Sequence, residues 1–161
     1  MLTYFKNSTQ SPLFEAVKDN DFNKVEELLL AGADINERDE INNTVLSCAV
    51  VFNYIEMAEF LINNGIEIDS FDTFDITPLY LAITNKLNDM IECLINHGAN
   101  INARTKDRKT LLHKAIIEDD RVVIKWLIEH YALIGSIDNK SKTPLDYLTI
   151  GNYDFVMNLL K

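Results

Sequence analysis

The chain has 161 residues, 47% hydrophobic and 25% charged, so it is long enough to bury a core and is not of disordered composition. Its formal net charge of −10 argues against a surface that binds nucleic acid, which needs basic charge to displace counterions. No apolar run approaches the ~20 residues of a membrane span, and the start carries no leader pattern. Two cysteines, Cys48 and Cys93, make no disulfide framework; the expectation is a cytoplasmic protein.

Self-similarity at a period of 33 organises the rest. Leu13, Leu46, Leu79, Leu112 and Leu145 are one such column, and Leu28, Leu61, Leu94, Leu127 and Leu160 another. Thr44, Thr77, Thr110 and Thr143 keep the register, as do Ala16, Ala49, Ala82 and Ala115. The period divides the chain into an N-terminal cap, 1–10, repeats at 11–43, 44–76, 77–109 and 110–142, and a truncated capping repeat, 143–161, together one domain.

Each unit reads in the same order. Ser11 or a Thr opens it, placed to cap a helix with its hydroxyl. Pro12, Pro78 and Pro144 then fall at the first helical position, where a missing N–H costs nothing. Leu and Ala three apart (Leu79, Ala82) share a face of the first helix, the Ala small enough for a neighbouring helix to come close. A tight turn leads to a second apolar stripe, as in Ile91, Leu94 and Ile95. It ends at Gly32, Gly65 or Gly98, each expected to be a left-handed C-cap. An extended stretch such as Ala99-Asn-Ile-Asn102 then runs into a hairpin-like loop.

Unit three, Thr77-Pro-Leu-Tyr-Leu-Ala82 and Ile91-Glu-Cys-Leu-Ile-Asn-His-Gly-Ala-Asn-Ile-Asn102, resembles the ankyrin repeat, with its T-P-L-x-x-A and V-x-x-L-L-x-x-G-A-x-x-N. The resemblance implies an all-α fold of the α-solenoid class, stacked helix-turn-helix units with projecting loops. The family's glycine in the hairpin tip is replaced here by Asn42, Asp75, Arg108 and Ser141. Its glycine between the helices is replaced by Asn20, Asn53, Lys86, Asp119 and Asn152. Asn and Asp tolerate left-handed backbone and Arg108 does so less well, so less ideal tips and turns are expected. Tyr131 stands where the C-cap glycine belongs. Leu148 occupies the Ala column of the last unit.

The chemistry searched for gives no catalytic, cofactor or metal site. There is no Gly-rich phosphate loop, H-E-x-x-H, C-x-x-C or G-x-S-x-G. His113 sits in the T-P-L-H column, where the family uses it for local hydrogen bonding. His97 and His130 are one period apart at helix ends, where a basic group suits the dipole; as a stacked metal pair they lack further ligands. Cys48 and Cys93 read as small, partly buried residues, Asp119-Asp120 as a solvated helix edge, and Trp126 as packing between repeats.

The resemblance implies protein binding through a concave face built from hairpin tips and the exposed side of the first helices. The tips fall at Arg38, Glu40, Ile41 and Asn43; at Phe71, Thr73, Phe74 and Ile76; at Arg104, Lys106, Asp107 and Lys109; and at Ile137, Asn139, Lys140 and Lys142. The first-helix positions are Lys18, Asp19, Val51, Phe52, Thr84, Asn85, Ile117 and Glu118. Within these, Ile41, Val51, Phe52, Phe71, Phe74 and Ile76 make an apolar cluster flanked by Glu40, Asp72 and Asp75, and this is the expected protein-binding site. Unit two has Glu56, Glu59, Glu67, Asp69, Asp72 and Asp75 and no Lys or Arg. A protein partner with a basic surface follows from that charge. Arg104, Lys106, Arg108 and Lys109 form a secondary basic tip. The finer expectation is a monomer that acts as a stoichiometric, immunity-type inhibitor, without enzyme activity, nucleic acid or membrane. The alternative is a scaffold or host-directed effector bridging two proteins.

Overall fold

A computed structural model describes residues 11–161, so the expected cap over 1–10 lies outside the described residues. Among the described residues there are nine α-helices, one 3-10 turn and no strand. First helices of the repeats are α1 (Pro12–Lys18), α3 (Val45–Val51), α5 (Pro78–Thr84) and α7 (Leu111–Ile117). Second helices are α2 (Phe22–Leu30), α4 (Ile55–Asn63), α6 (Asn88–Asn96) and α8 (Arg121–Glu129). Each series keeps the register of 33 read from the columns. A 3-10 turn, Pro144–Tyr147, and α9 (Tyr153–Leu159) complete the chain.

The capping column works as the residue types dictate. Ser11, Thr44, Thr77 and Thr110 accept the N–H of Phe14, Ser47, Tyr80 and His113 at 3.3, 3.2, 3.1 and 3.4 Å. The turn after α1 is a Schellman cap: Asp21 N–H reaches Ala16 O at 2.9 Å and Asn20 N–H reaches Val17 O at 3.0 Å. Asn20, Asn53, Lys86 and Asp119 all take φ between 53° and 57° there. Second helices close in the same way at Gly32, Gly65 and Gly98, with φ of 90° to 93°. Tyr131 adopts φ 61° in place of glycine and keeps the cap, with Ala132 N–H on Leu127 O at 2.9 Å.

The last unit departs from the pattern. Asn152 is not left-handed as its column predicts; φ is −114°, and it stands at the N-cap position of α9 without a side-chain capping bond. It is buried, takes the Thr149 N–H on Oδ1 at 2.7 Å and donates Nδ2–H to Ile116 O at 3.1 Å. Leu148 fills the column that Ala16, Ala49, Ala82 and Ala115 occupy at close helix contacts. Here the 3-10 turn stops and Leu148 is extended, φ −60° and ψ 139°. A Leu side chain needs room that the Ala column does not leave.

The described residues fall into two compact units, one running to Ala82 and including Leu87–Ala99, the other Ile83–Lys86 with Asn100–Lys161. In the first, α1 packs on α2 and α3, α3 on α4, and α4 on α6. Leu13, Leu46, Leu61, Leu79 and Leu94 are buried there. In the second, α7 packs on α8 and on the 3-10 turn, and α8 on α9, over Leu111, Leu112, Ile116, Ile124 and Leu127.

Candidate protein-binding site

The tips are built by one device repeated. Asp39, Asp72, Thr105 and Asp138 stand 33 apart at the base of the four loops. In each loop the residue at this position pairs its N–H with the carbonyl four residues on: Asn43, Ile76, Lys109 and Lys142, at 2.9 to 3.1 Å. The carboxylate of Asp72 accepts the N–H of Phe74 at 2.7 Å and of Ile76 at 2.9 Å. Asp39 does the same for Ile41 and Asn43, and Asp138 for Lys140 and Lys142. The left-handed residue each loop needs is Asn42, Asp75, Arg108 or Ser141, with φ from 57° to 64°. Non-glycine tips are therefore accommodated because the carboxylate, or the Thr105 hydroxyl, holds the backbone at that point.

The tips of repeats one and two are bonded to each other. Thr73 N–H and Oγ1–H both donate to Ile41 O, and Asn42 Nδ2–H donates to Phe71 O at 2.7 Å. Arg38 bridges the same loops, 2.8 Å from Glu67 Oε2 and 3.0 Å from Ser70 Oγ. Of the residues expected to meet a partner, Glu40, Phe74 and Asp75 are exposed, Phe74 to 54%. Ile41, Val51, Phe52, Phe71 and Ile76 are half-buried, and Phe52 stacks on Tyr54 at 5.6 Å. Asp72 is a correction. It is only 7% exposed, and its carboxylate is taken up in holding the tip. Asn43, expected at a tip, is buried too.

In the second compact unit Arg104, Lys106 and Arg108 are exposed and Lys109 is half-buried. Arg104 donates to Ile137 O at 3.4 Å, and the Asp107 carbonyl accepts the Asn139 N–H at 3.0 Å. Behind these loops, buried His113 completes a capping box. Its Nδ1 accepts the Thr110 N–H at 3.0 Å, which leaves Nε2–H to donate to Lys142 O at 3.1 Å. Tyr147 OH donates to Asp138 Oδ2 at 2.5 Å. That bond, with the Lys142 and Lys140 N–H groups, holds the Asp138 carboxyl down to about 2 and pushes the Tyr147 phenol up.

The remaining candidates sort by environment. Burial pushes the Cys48 thiol up to about 12, so it is an inert core residue. His97 and His130 each place Nδ1 2.8 Å from a carbonyl one turn back, Cys93 O and Trp126 O, and so close their helices. Trp126 stacks on His130 at 3.8 Å, a contact within one helix end that the expected packing between repeats did not include. One grouping escaped the sequence reading: Glu59, Cys93 and His97 bring ligand-type atoms within 4.8 Å of one another. The four-residue spacing of Cys93 and His97 was a signal for two of them; Glu59 comes from the preceding repeat.

Among the described residues no helix is long and apolar enough to cross a membrane. No curated protein matches the sequence. The family profile for ankyrin repeats (3 copies) matches residues 13–105 and 79–161, which together span nearly all of the chain. Its members generally serve as protein–protein interaction modules and are typically not enzymes. The 33-residue helix pairs, their caps and this match agree: the chain belongs to the ankyrin repeat family.

Proposed function

We propose that the joined tips of repeats one and two, with the C-terminal end of α3, bind a protein that presents a basic surface. The observation that carries this is Phe74, a large aromatic half exposed at a hairpin tip and followed by the acidic Asp75. Glu40 and Asp75 are exposed beside the half-buried Ile41, Phe71 and Ile76. Aromatic anchors ringed by charge are the usual make-up of an interaction hot spot. The acidic rim speeds encounter with a basic partner.

In this reading the protein works as a monomer in the cytoplasm, as a stoichiometric, immunity-type inhibitor, occupying its partner and catalysing nothing. The basic tip at Arg104, Lys106, Arg108 and Lys109 favours a second reading, a scaffold or host-directed effector that bridges two proteins through surfaces of opposite charge. A pull-down from native lysate at low and high salt tests both, using wild type and a variant with Phe52, Phe71 and Phe74 changed to Ala. One basic protein, weakened by salt and lost with the variant, supports inhibition. Several partners retained by the variant favour the scaffold and discard the aromatic site.

A further inference from the structure

We propose that Glu59, Cys93 and His97 form a binding site for a zinc-like divalent cation, which they hold through one carboxylate, one thiolate and one imidazole, with water at the fourth corner. Cys93 lies in α6 and His97 is that helix's C-cap, four residues on, so both project from one face a turn apart. Glu59 projects from α4, the second helix of the preceding repeat, which packs on α6 in the same compact unit. One ligand atom from each lies within 4.8 Å of the others, and Cys93 Sγ is 3.9 Å from His97 Nδ1. Ligands bound to zinc at 2.0–2.3 Å stand roughly 3.3–3.8 Å apart at tetrahedral corners. Side-chain turns of about 1 Å therefore close the site without moving either helix.

The donor set selects the ion. A thiolate and an imidazole favour zinc over magnesium or calcium, which take oxygen ligands. The surroundings suit a cation as well. Among the described residues the Glu59 carboxylate makes no hydrogen bond or ion pair. The site also lies at the C-terminal end of α6, where the helix dipole favours positive charge. His97 Nδ1, 3.9 Å from Cys93 Sγ, exchanges its 2.8 Å contact with the Cys93 carbonyl for the metal, and Nε2 keeps the proton. Cys93 binds as the thiolate. The incoming cation displaces the thiol proton to solvent and neutralises the pair. Bound there, the ion ties the second helices of repeats two and three together.

The test is a titration of the untagged protein with cobalt(II), followed by displacement with zinc. The proposal expects the thiolate-to-cobalt charge-transfer band at one equivalent, in wild type and in Cys48→Ala alike. Cys93→Ser abolishes the band. Glu59→Gln and His97→Ala each weaken binding by more than the roughly 10–100-fold that loss of an outer-shell partner costs. Zinc raises the melting temperature of wild type and of no ligand variant. Circular dichroism and melting without metal show that each variant is folded. Absence of the band, its survival in Cys93→Ser, or binding indifferent to both Glu59→Gln and His97→Ala overturns the site.

Discussion

Thr73 gives both of its donors, the backbone N–H and the hydroxyl, to the carbonyl of Ile41, each at 3.1 Å. This sets the second hairpin tip, with Phe74 the next residue along, against the first. Thr73→Val keeps the backbone bond and removes the other. We predict a loss of about 0.5–1.5 kcal/mol in denaturant unfolding and weaker partner binding, because the two tips no longer share one position. Unchanged affinity would mean that the tips act independently.

Phe74 and Asp72 are two residues apart and should behave in opposite ways. Phe74→Ala removes an exposed ring, so stability should change by no more than about 0.5 kcal/mol while partner affinity falls at least tenfold. Asp72→Ala strands the N–H groups of Phe74 and Ile76, and should cost about 1–3 kcal/mol. Urea denaturation separates them. A large stability loss from Phe74→Ala would show that the ring is packing.

Tyr131 is 91% exposed and left-handed, with φ 61°. A bulky residue in that region costs about 1–3 kcal/mol, and the ring gains little burial in return. Tyr131→Gly relieves the strain and adds roughly 0.4–1 kcal/mol of unfolded-state entropy. The net expectation is a stabilisation of about 1 kcal/mol by thermal or urea unfolding. A lower melting temperature would mean that the ring makes contacts worth more than the strain.

The Tyr147–Asp138 bond gives stability a pH signature. Asp138 titrates at about 2 in the folded protein, against ~3.9 when unfolded. A depressed carboxyl stabilises above the unfolded value, and that contribution is lost as pH falls through the folded one. Tyr147→Phe should therefore be less stable than wild type near neutrality, and the gap should narrow between pH ~4 and 2. Carboxyl NMR should show Asp138 moving up in the variant. A gap independent of pH would assign the loss to packing alone.

The fold was legible because each column has a local cause. Thr at a cap, Pro at the first helical position and Gly at a C-cap act on their own backbone, and repetition multiplies the signal. Asn42, Asp75, Arg108 and Ser141 stand out in the sequence as unusual, but what holds them does not. The carboxylates of Asp39, Asp72 and Asp138 work across the loop and look like ordinary surface charge in sequence. For the same reason the sequence alone places Asp72 on a binding surface. Leu148 was visible as a misfit, yet its consequence, a 3-10 turn with Asn152 turned inward, depends on packing against α7. The Glu59, Cys93 and His97 grouping joins two repeats, and spacing along one helix reveals only the Cys–His half.

In the proposed function a partner is held by the tips of repeats one and two. The most direct measurement is the affinity of the captured partner, at two salt concentrations, for three proteins: wild type, Phe52→Ala with Phe71→Ala and Phe74→Ala, and Arg104→Glu with Lys106→Glu and Arg108→Glu. Wild-type affinity should fall with salt. The aromatic variant, with an unchanged circular dichroism spectrum, should lose binding, and the charge-reversed variant should keep it. Full binding by the aromatic variant, or loss confined to the charge-reversed one, would contradict the proposed function.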